Sequence, residues 1–179
     1  MANLKEVVIV SACRTAVGDF LGSLKAVSMT DMAAVCLKEV VNRAGLDPAL
    51  IDDVILGCTG YDSAQNNVGR GAALKAGFPY TVPGMTINRV CPSSMECLEI
   101  AASQIRLGNY DVAIAGGTDS MTQAPYVLKN HRTGCRMQND VLVDSLWEGM
   151  SGGGNTIMGL TAENLAEKYN ISRQEQDEY

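Results

Sequence analysis

The run KEVVIVSA, Lys5 to Ala12, is apolar without alternation, the pattern of a strand buried on both faces of a sheet. Next, Met32, Val35, Leu37, Val40 and Val41 recur at helical spacing between Asp31 and Ala44, and Gly45 ends the pattern. The pair repeats. DVILGC, Asp53 to Cys58, predicts a second strand, and Val68 to Ala76 carries alanine and leucine into Gly77 as a second helix. GMTIN is a short third strand, the segment after Cys91 a third helix stopped by Gly108, and DVAIAGG a fourth strand. Strands alternating with helices of these lengths predict an α/β fold, a mainly parallel sheet with helices on both faces.

Beyond Gly117 the periodicity fails. Met121 to Gly154 is rich in Gly, Asn, Asp and other polar residues, a long excursion of the kind that often carries function. Thr161 is placed to cap a helix through AENLAEKY, and SRQE at Ser172 to Glu175 is a capping box that opens another. These patterns place one domain at residues 1–120 and a partial second one at 121–179. The final helix has barely two turns before Tyr179, marginal on its own, so structure is expected to continue past it.

Composition narrows the function classes. At 179 residues, 46% hydrophobic and 19% charged, the chain is an ordinary soluble globular sequence. A net charge of −6 disfavours nucleic acid and anionic membrane as partners without excluding small anionic ligands. The apolar start is too short for a signal peptide, and no segment is long enough to span a bilayer. Cysteines stand at 13, 36, 58, 91, 97 and 135 with no C-x-x-C spacing, which argues against a zinc site or a redox pair. Reduced, mostly buried thiols in a cytoplasmic protein are the expectation.

Cys91 stands apart by its position. It lies where a short strand of a parallel sheet turns into a helix, the edge at which such folds place their sites. Unpaired N–H groups at a helix start favour thiolate over thiol, which makes a nucleophile. Pro92 suits the first helical position, since its φ is already helical and its missing N–H is not needed there. Ser93 and Ser94 are small and leave the approach open.

The stretch NRVCPSSMECLEIAASQIRLGNYDVAIAGGTDSMTQAPY resembles the nucleophile region of the thiolases, with the pattern N-[KR]-V-C-G-S-G, a helix, G-x-x-D-V-x-x-A-G-G and S-M-x-x-A-P-Y. VVIVSACRTAVGDFLGSL is similar to the family's opening strand and loop, and MGLTAENLAEKYNISRQEQDEY to its loop-domain helices, so the likeness covers essentially the whole chain. The resemblance implies a thiolase-like N-terminal α/β domain followed by the start of the loop domain. It implies that Cys91 takes an acyl group from a coenzyme A thioester. A second acyl-CoA carbanion then attacks the acyl-enzyme, or a 3-ketoacyl-CoA is cleaved in reverse. The Cys91 N–H would contribute to an oxyanion hole, and Met158 with Gly159 would line the acyl pocket. No cofactor or metal is implied, coenzyme A thioesters being substrates.

The chain also departs from that pattern. Pro92 and Ser94 occupy the places of two family glycines, Ile157 that of a frequent histidine, and Asp119 that of a common glutamate. The motifs G-H-P-x-G and C-x-G-G-G, which carry the family's histidine and second cysteine, are absent, as is the last strand of the N-terminal domain. His131, in the polar excursion, reads as a solvated side chain, and Cys97 falls about 240° round the helix from Cys91. The resemblance therefore implies an oligomeric acyltransferase that is inactive as this chain alone and needs a complementary C-terminal half, whether the chain is a split subunit or a fragment. Two other readings compete: a noncatalytic thiolase-like partner subunit, supported by Pro92 and Ser94, and a decarboxylating condensing-enzyme relative, against which MGLTAENLAEKYNISRQEQ argues.

Overall fold

Helix α1, Met29–Ala44, starts where the Ser28 hydroxyl accepts from the Asp31 N–H and stops at Gly45, whose φ of 64° is the left-handed region a glycine adopts without strain. Its buried stripe is Ala33, Ala34, Leu37 and Val41. Val35, which the periodicity counted as apolar face, points to solvent at 64% exposure. The computed structural model describes residues 5–60, 65–137, 139–151 and 156–179. It divides into two compact units, Met1–Gln123 and Ala124–Tyr179.

In the first unit, β1 (Asp53–Gly57), α2 (Val68–Lys75), β2 (Gly84–Ile87), α3 (Ser93–Leu107) and β3 (Ala113–Gly117) follow α1. The sheet order is β2-β1-β3, all parallel, with Ile55 opposite Met85 on one side and Ala115 on the other. Every residue of β1 is buried, as its unbroken apolar run required. Val54 and Leu56 join α1 and α2 in one cluster, while Ile55 meets Cys97 and Ala101 of α3 on the opposite face. Helices thus cover both faces. Each such side chain contributes roughly 1.5–3 kcal/mol by leaving water.

The expected first strand is the main correction. Residues 5–12 form no strand and pair with no neighbouring strand, so the sheet has three strands rather than four among the described residues. Val8, Ile9 and Val10 are 67%, 83% and 70% exposed. An apolar run has the composition of a buried strand, but it becomes one only where another strand supplies hydrogen bonds beside it, and none is there among the described residues.

The second unit holds a two-stranded antiparallel ladder, β4 (Tyr126–Val127) and β5 (Val143–Asp144), then α4 (Ser145–Met150), α5 (Met158–Tyr169) and α6 (Arg173–Glu178). The polar excursion therefore contains short regular elements, its expected end at Gly152 to Gly154 lying outside the described residues. Thr161 does not cap α5. That helix begins at Met158, and the Thr161 hydroxyl turns back to the Ile157 carbonyl. Ser172 and Glu175 do form the reciprocal capping box, and Glu175 titrates below the usual range because the Ser172 N–H, then its hydroxyl, donate to it. Among the described residues no helix is long and apolar enough to cross a membrane.

Candidate active site

Because the three strands run in parallel, Gly57, Ile87 and Gly117 end at one edge, and the loops that leave them emerge together. Cys91 lies in the loop from β2 to α3 and is exposed. The turn carrying it is built by its neighbours. Val90, immediately before it, has φ 57°, a conformation β-branched residues avoid at a cost of about 1–3 kcal/mol. Ser93 holds the backbone there: its hydroxyl donates to the Val90 carbonyl at 2.5 Å and accepts from the Arg89 N–H at 2.8 Å. The Ser93 N–H also reaches the Val90 carbonyl at 3.1 Å, and the Asn88 side chain accepts from the Val90 N–H at 3.0 Å. Ser93 is 3% exposed. Arg89 pairs with Glu96 across the first turn of the helix.

Pro92 occupies the cap of α3, with φ −83° and ψ 16°, rather than the first helical position. The shift follows from Ser93, which bonds back to Val90 and so becomes the first helical residue itself. Pro92 thereby removes none of the first-turn amides of α3. Its carbonyl accepts the Glu96 N–H, closing that turn. Among the described residues the N–H groups of Cys91, Ser94 and Met95 meet no acceptor, so donors remain available at the positive end of the helix.

The helix start presses on the sheet, and only glycine permits the distance. A Cβ on Gly57 would lie 2.6 Å from the Ser93 carbonyl carbon and from the Ser94 nitrogen. One on Gly117 would lie 1.9 Å from the Ser94 hydroxyl oxygen. Ser94, standing where the family pattern has glycine, is thus received by the small residue that ends β3. Beside it, the Asp119 carboxylate accepts from the N–H groups of Thr59 at 3.1 Å and Gly60 at 2.7 Å, tying the loop after β1 to the loop after β3.

The other thiols are placed differently. Cys97 is fully buried in the α3 face of the core, where burial pushes its thiol up and the Glu96 charge adds to the effect. Cys58 is buried beside Met29, with sulfur to sulfur 3.7 Å. Cys135 is exposed in the second unit. His131, the one histidine of the chain, also belongs to the second unit, its Nδ1 2.5 Å from the Asp140 carboxylate. Met158 and Gly159 are adjacent at the start of α5 in that unit, Met158 exposed and Gly159 with open space around its Cα. Cys91 is in the first unit. Among the described residues no cluster of three or more histidine, cysteine or acidic side chains forms a metal site.

Residue patterns did not single out Gly57 or the tying role of Ser93, because both act through backbone proximity. Asp119 was visible only as a substitution; its two N–H donors come from a loop 59 and 60 residues away.

Comparison with known proteins bears on this edge. The family model described as thiolase, N-terminal domain, matches residues 7–179. The chain is similar to the acetyl-CoA acetyltransferase of Pseudomonas aeruginosa, 45% identical over 98% of this chain and 45% of that protein. It is 41% identical to that of Syntrophomonas wolfei, with the same shares covered. The crystal structure of the Bacillus anthracis acetyl-CoA acetyltransferase superimposes with a TM-score of 0.93 at 44% identity, covering 99% of this chain and 45% of that one. The chain spans about half the length of the curated relatives it matches.

Proposed function

The chain belongs to the thiolase family, and from that membership we propose that it is the nucleophile-bearing half of an acyltransferase working between coenzyme A thioesters. The observation that carries this reading is the exposed Cys91 thiol, held on a strained turn at the carboxyl edge of the sheet beside unpaired N–H groups.

In the proposed reaction the Cys91 thiolate attacks the thioester carbonyl of an acyl-CoA. The carbonyl electron pair moves to oxygen, where the Cys91 N–H stabilises the charge. Collapse breaks the bond to the coenzyme A sulfur, which leaves with a proton from an acid. The acyl group on Cys91 is then attacked by the α-carbanion of a second acyl-CoA, giving a 3-ketoacyl-CoA, or the sequence runs in reverse as thiolysis. The proton transfers need groups that this chain does not supply: its one histidine is engaged by Asp140, and Cys97 is sealed in the core. A complementary C-terminal half brings them. Met158 and Gly159 contribute to the acyl pocket, and the assembled enzyme is a cytoplasmic oligomer with no cofactor beyond its substrates.

The test is acyl transfer from acetyl-CoA in the presence of the complementary half, followed by mass spectrometry of the Cys91 peptide. An acetyl group on Cys91, absent in Cys91→Ser, is the expected result. An acetyl group on Cys97 or Cys135, or unchanged labelling in Cys91→Ser, removes Cys91 from the mechanism and makes the noncatalytic-subunit reading the better one.

A further inference from the structure

Cys13 and Cys36 are 23 residues apart in the chain, a spacing that no short motif joins, yet the fold sets one beside the other. Cys36 and Arg43 belong to α1, and two helical turns of separation put them on one face of it. That face lies along residues 12–13. The Arg43 guanidinium donates to the Ala12 carbonyl, and the Cys13 thiol to the Cys36 carbonyl, both at 3.3 Å. The two sulfurs also meet: burial pushes the Cys13 thiol up, and Cys36 adds to the shift through its charge and through a hydrogen bond between the side chains. The Arg43 guanidinium opposes that shift, and the Glu39 carboxylate adds a smaller upward push.

Neither thiol is sealed in the core. Both are half-buried, whereas Cys58 and Cys97 are buried. A cleft of about 600 Å³ opens on Cys13 and is lined also by Arg14 and Arg43. Arg14 donates one N–H to the Thr15 carbonyl, and Arg43 pairs with Glu39, so two guanidinium groups border the way to the sulfur. A small disulfide that carries carboxylates is the oxidant such an entrance suits.

We propose that Cys13 and Cys36 are a redox-active dithiol, closed to a disulfide by a small carboxylate-bearing disulfide such as oxidised glutathione and reopened in a thiol-rich medium. The Cys13 thiol gives up its proton, and its thiolate attacks one sulfur of the oxidant, whose S–S bond breaks to release one glutathione thiolate. The Cys36 thiolate then attacks the Cys13 sulfur of the mixed disulfide and releases the second. Two electrons pass from the protein sulfurs to the oxidant, and the two protons end on the two glutathione thiols. The new bond closes residues 13–36 into a ring. That ring contains the loop ahead of α1, whose Leu21 N–H donates to the Thr122 hydroxyl at 3.0 Å. The Gln123 amide donates to the carbonyls of Lys25 and Val27 of the same loop, at 3.1 Å and 3.0 Å. Oxidation therefore fixes the base of a loop that rests on the exit from β3. Where thiols are kept reduced, such a bond is transient and reports the oxidant.

The test exposes the purified chain to oxidised glutathione, blocks the remaining thiols with N-ethylmaleimide and maps the tryptic peptides without reduction. The expected product is the peptide of residues 6–14 joined to that of residues 26–38, separated again by dithiothreitol. In Cys36→Ser the glutathione should stay on Cys13, and Cys13→Ser should give no joined peptide. The oxidised chain should melt about 10 °C above the same chain after reduction, because the ring restricts the unfolded state, with no such gap in Cys36→Ser treated alike. Glutathione on Cys91 and Cys135 while Cys13 and Cys36 still take N-ethylmaleimide would overturn the proposal. Glutathione that persists on Cys13 of the unaltered chain, or Cys13 joined to Cys91 or Cys135, would overturn the pairing. Equal melting with the link in place would overturn the restraint on the loop. The peptide map of the unaltered chain decides the pairing even if a serine variant fails to fold.

Discussion

The carboxyl edge of the sheet and the outer side of β3 are made from the same kinds of residue, yet one is finished and the other open. At the carboxyl edge, Gly57 and Gly117 let α3 pack onto the strand ends, Ser93 closes the turn before it, and Asp119 ties two loops together. At the outer side of β3, small apolar residues face a cavity, and the valines that could close it are in water. The difference is in the source of the hydrogen bonds. Those of the site come from within five residues of Cys91 or from the loops that follow β1 and β3, whereas the outer side of β3 has no neighbouring strand among the described residues. The position of Cys91 is thus set by its own turn and the loops beside it, while the sheet beneath stays open on one side among the described residues.

The comparison breaks most sharply at Gly57. Gly57→Val forces a side chain to within 2.6 Å of backbone and should cost about 3 kcal/mol or more in urea unfolding. Ile9→Asp, at the open side, should stay within about 0.5 kcal/mol in the isolated chain. Equal losses at the two positions would erase the distinction. Ser93→Ala comes next: it takes the acceptor from the Arg89 N–H in a turn exposed to water on either side of Ser93, for a loss of about 0.5–1.5 kcal/mol. Without the hydroxyl, the Val90 conformation should also relax, and the Cys91 peptide should show the largest local increase in hydrogen exchange.

Thiol labelling sharpens the contrast without altering the fold. Iodoacetamide should modify Cys91 and Cys135 in the native chain and reach Cys97 and Cys58 only on unfolding, as read by peptide mass spectrometry. Early labelling of Cys97 would mean that the α3 face of the core is open.

The smallest effect is at the amino end of the sheet, away from the site. The Asp52 carboxylate accepts from the N–H groups of Val112 and Asp111, which hold it below the usual carboxylate range, Val112 first. A carboxyl group lowered in the folded state contributes stability above its unfolded pKa of about 3.9 and loses it as pH falls through the folded value. Asp52→Asn should therefore flatten the acid side of the stability profile, by under about 1 kcal/mol because the group is exposed. An unchanged profile would remove that contribution.

Much of this was legible from residue pattern. The helix from Asp31 to Ala44, the strands at Asp53, Gly84 and Ala113, the helix stop at Gly108 and the Ser172 capping box are local features fixed by periodicity and end residues. Cys91 stood out because the turn from strand to helix is itself local. The run at residues 5–12 was misread because its apolar character reports what it would bury, not which strand would lie beside it. Pro92 was placed one residue too far into the helix because the competing bond from Ser93 to Val90 depends on a backbone conformation that no composition reveals. Asp119 and Gly57 needed the strands brought together before either had a partner.

The most direct measurement is thiolysis of acetoacetyl-CoA by the purified chain, alone and after addition of the C-terminal half of a relative. A positioned thiol without its acid and base forgoes proton transfer worth roughly 10²–10⁴-fold, so the chain alone should show no turnover and the mixture should restore it, with Cys91→Ser inactive in both. Turnover by the chain alone would contradict the account, since the proton-transfer groups would then lie within these 179 residues.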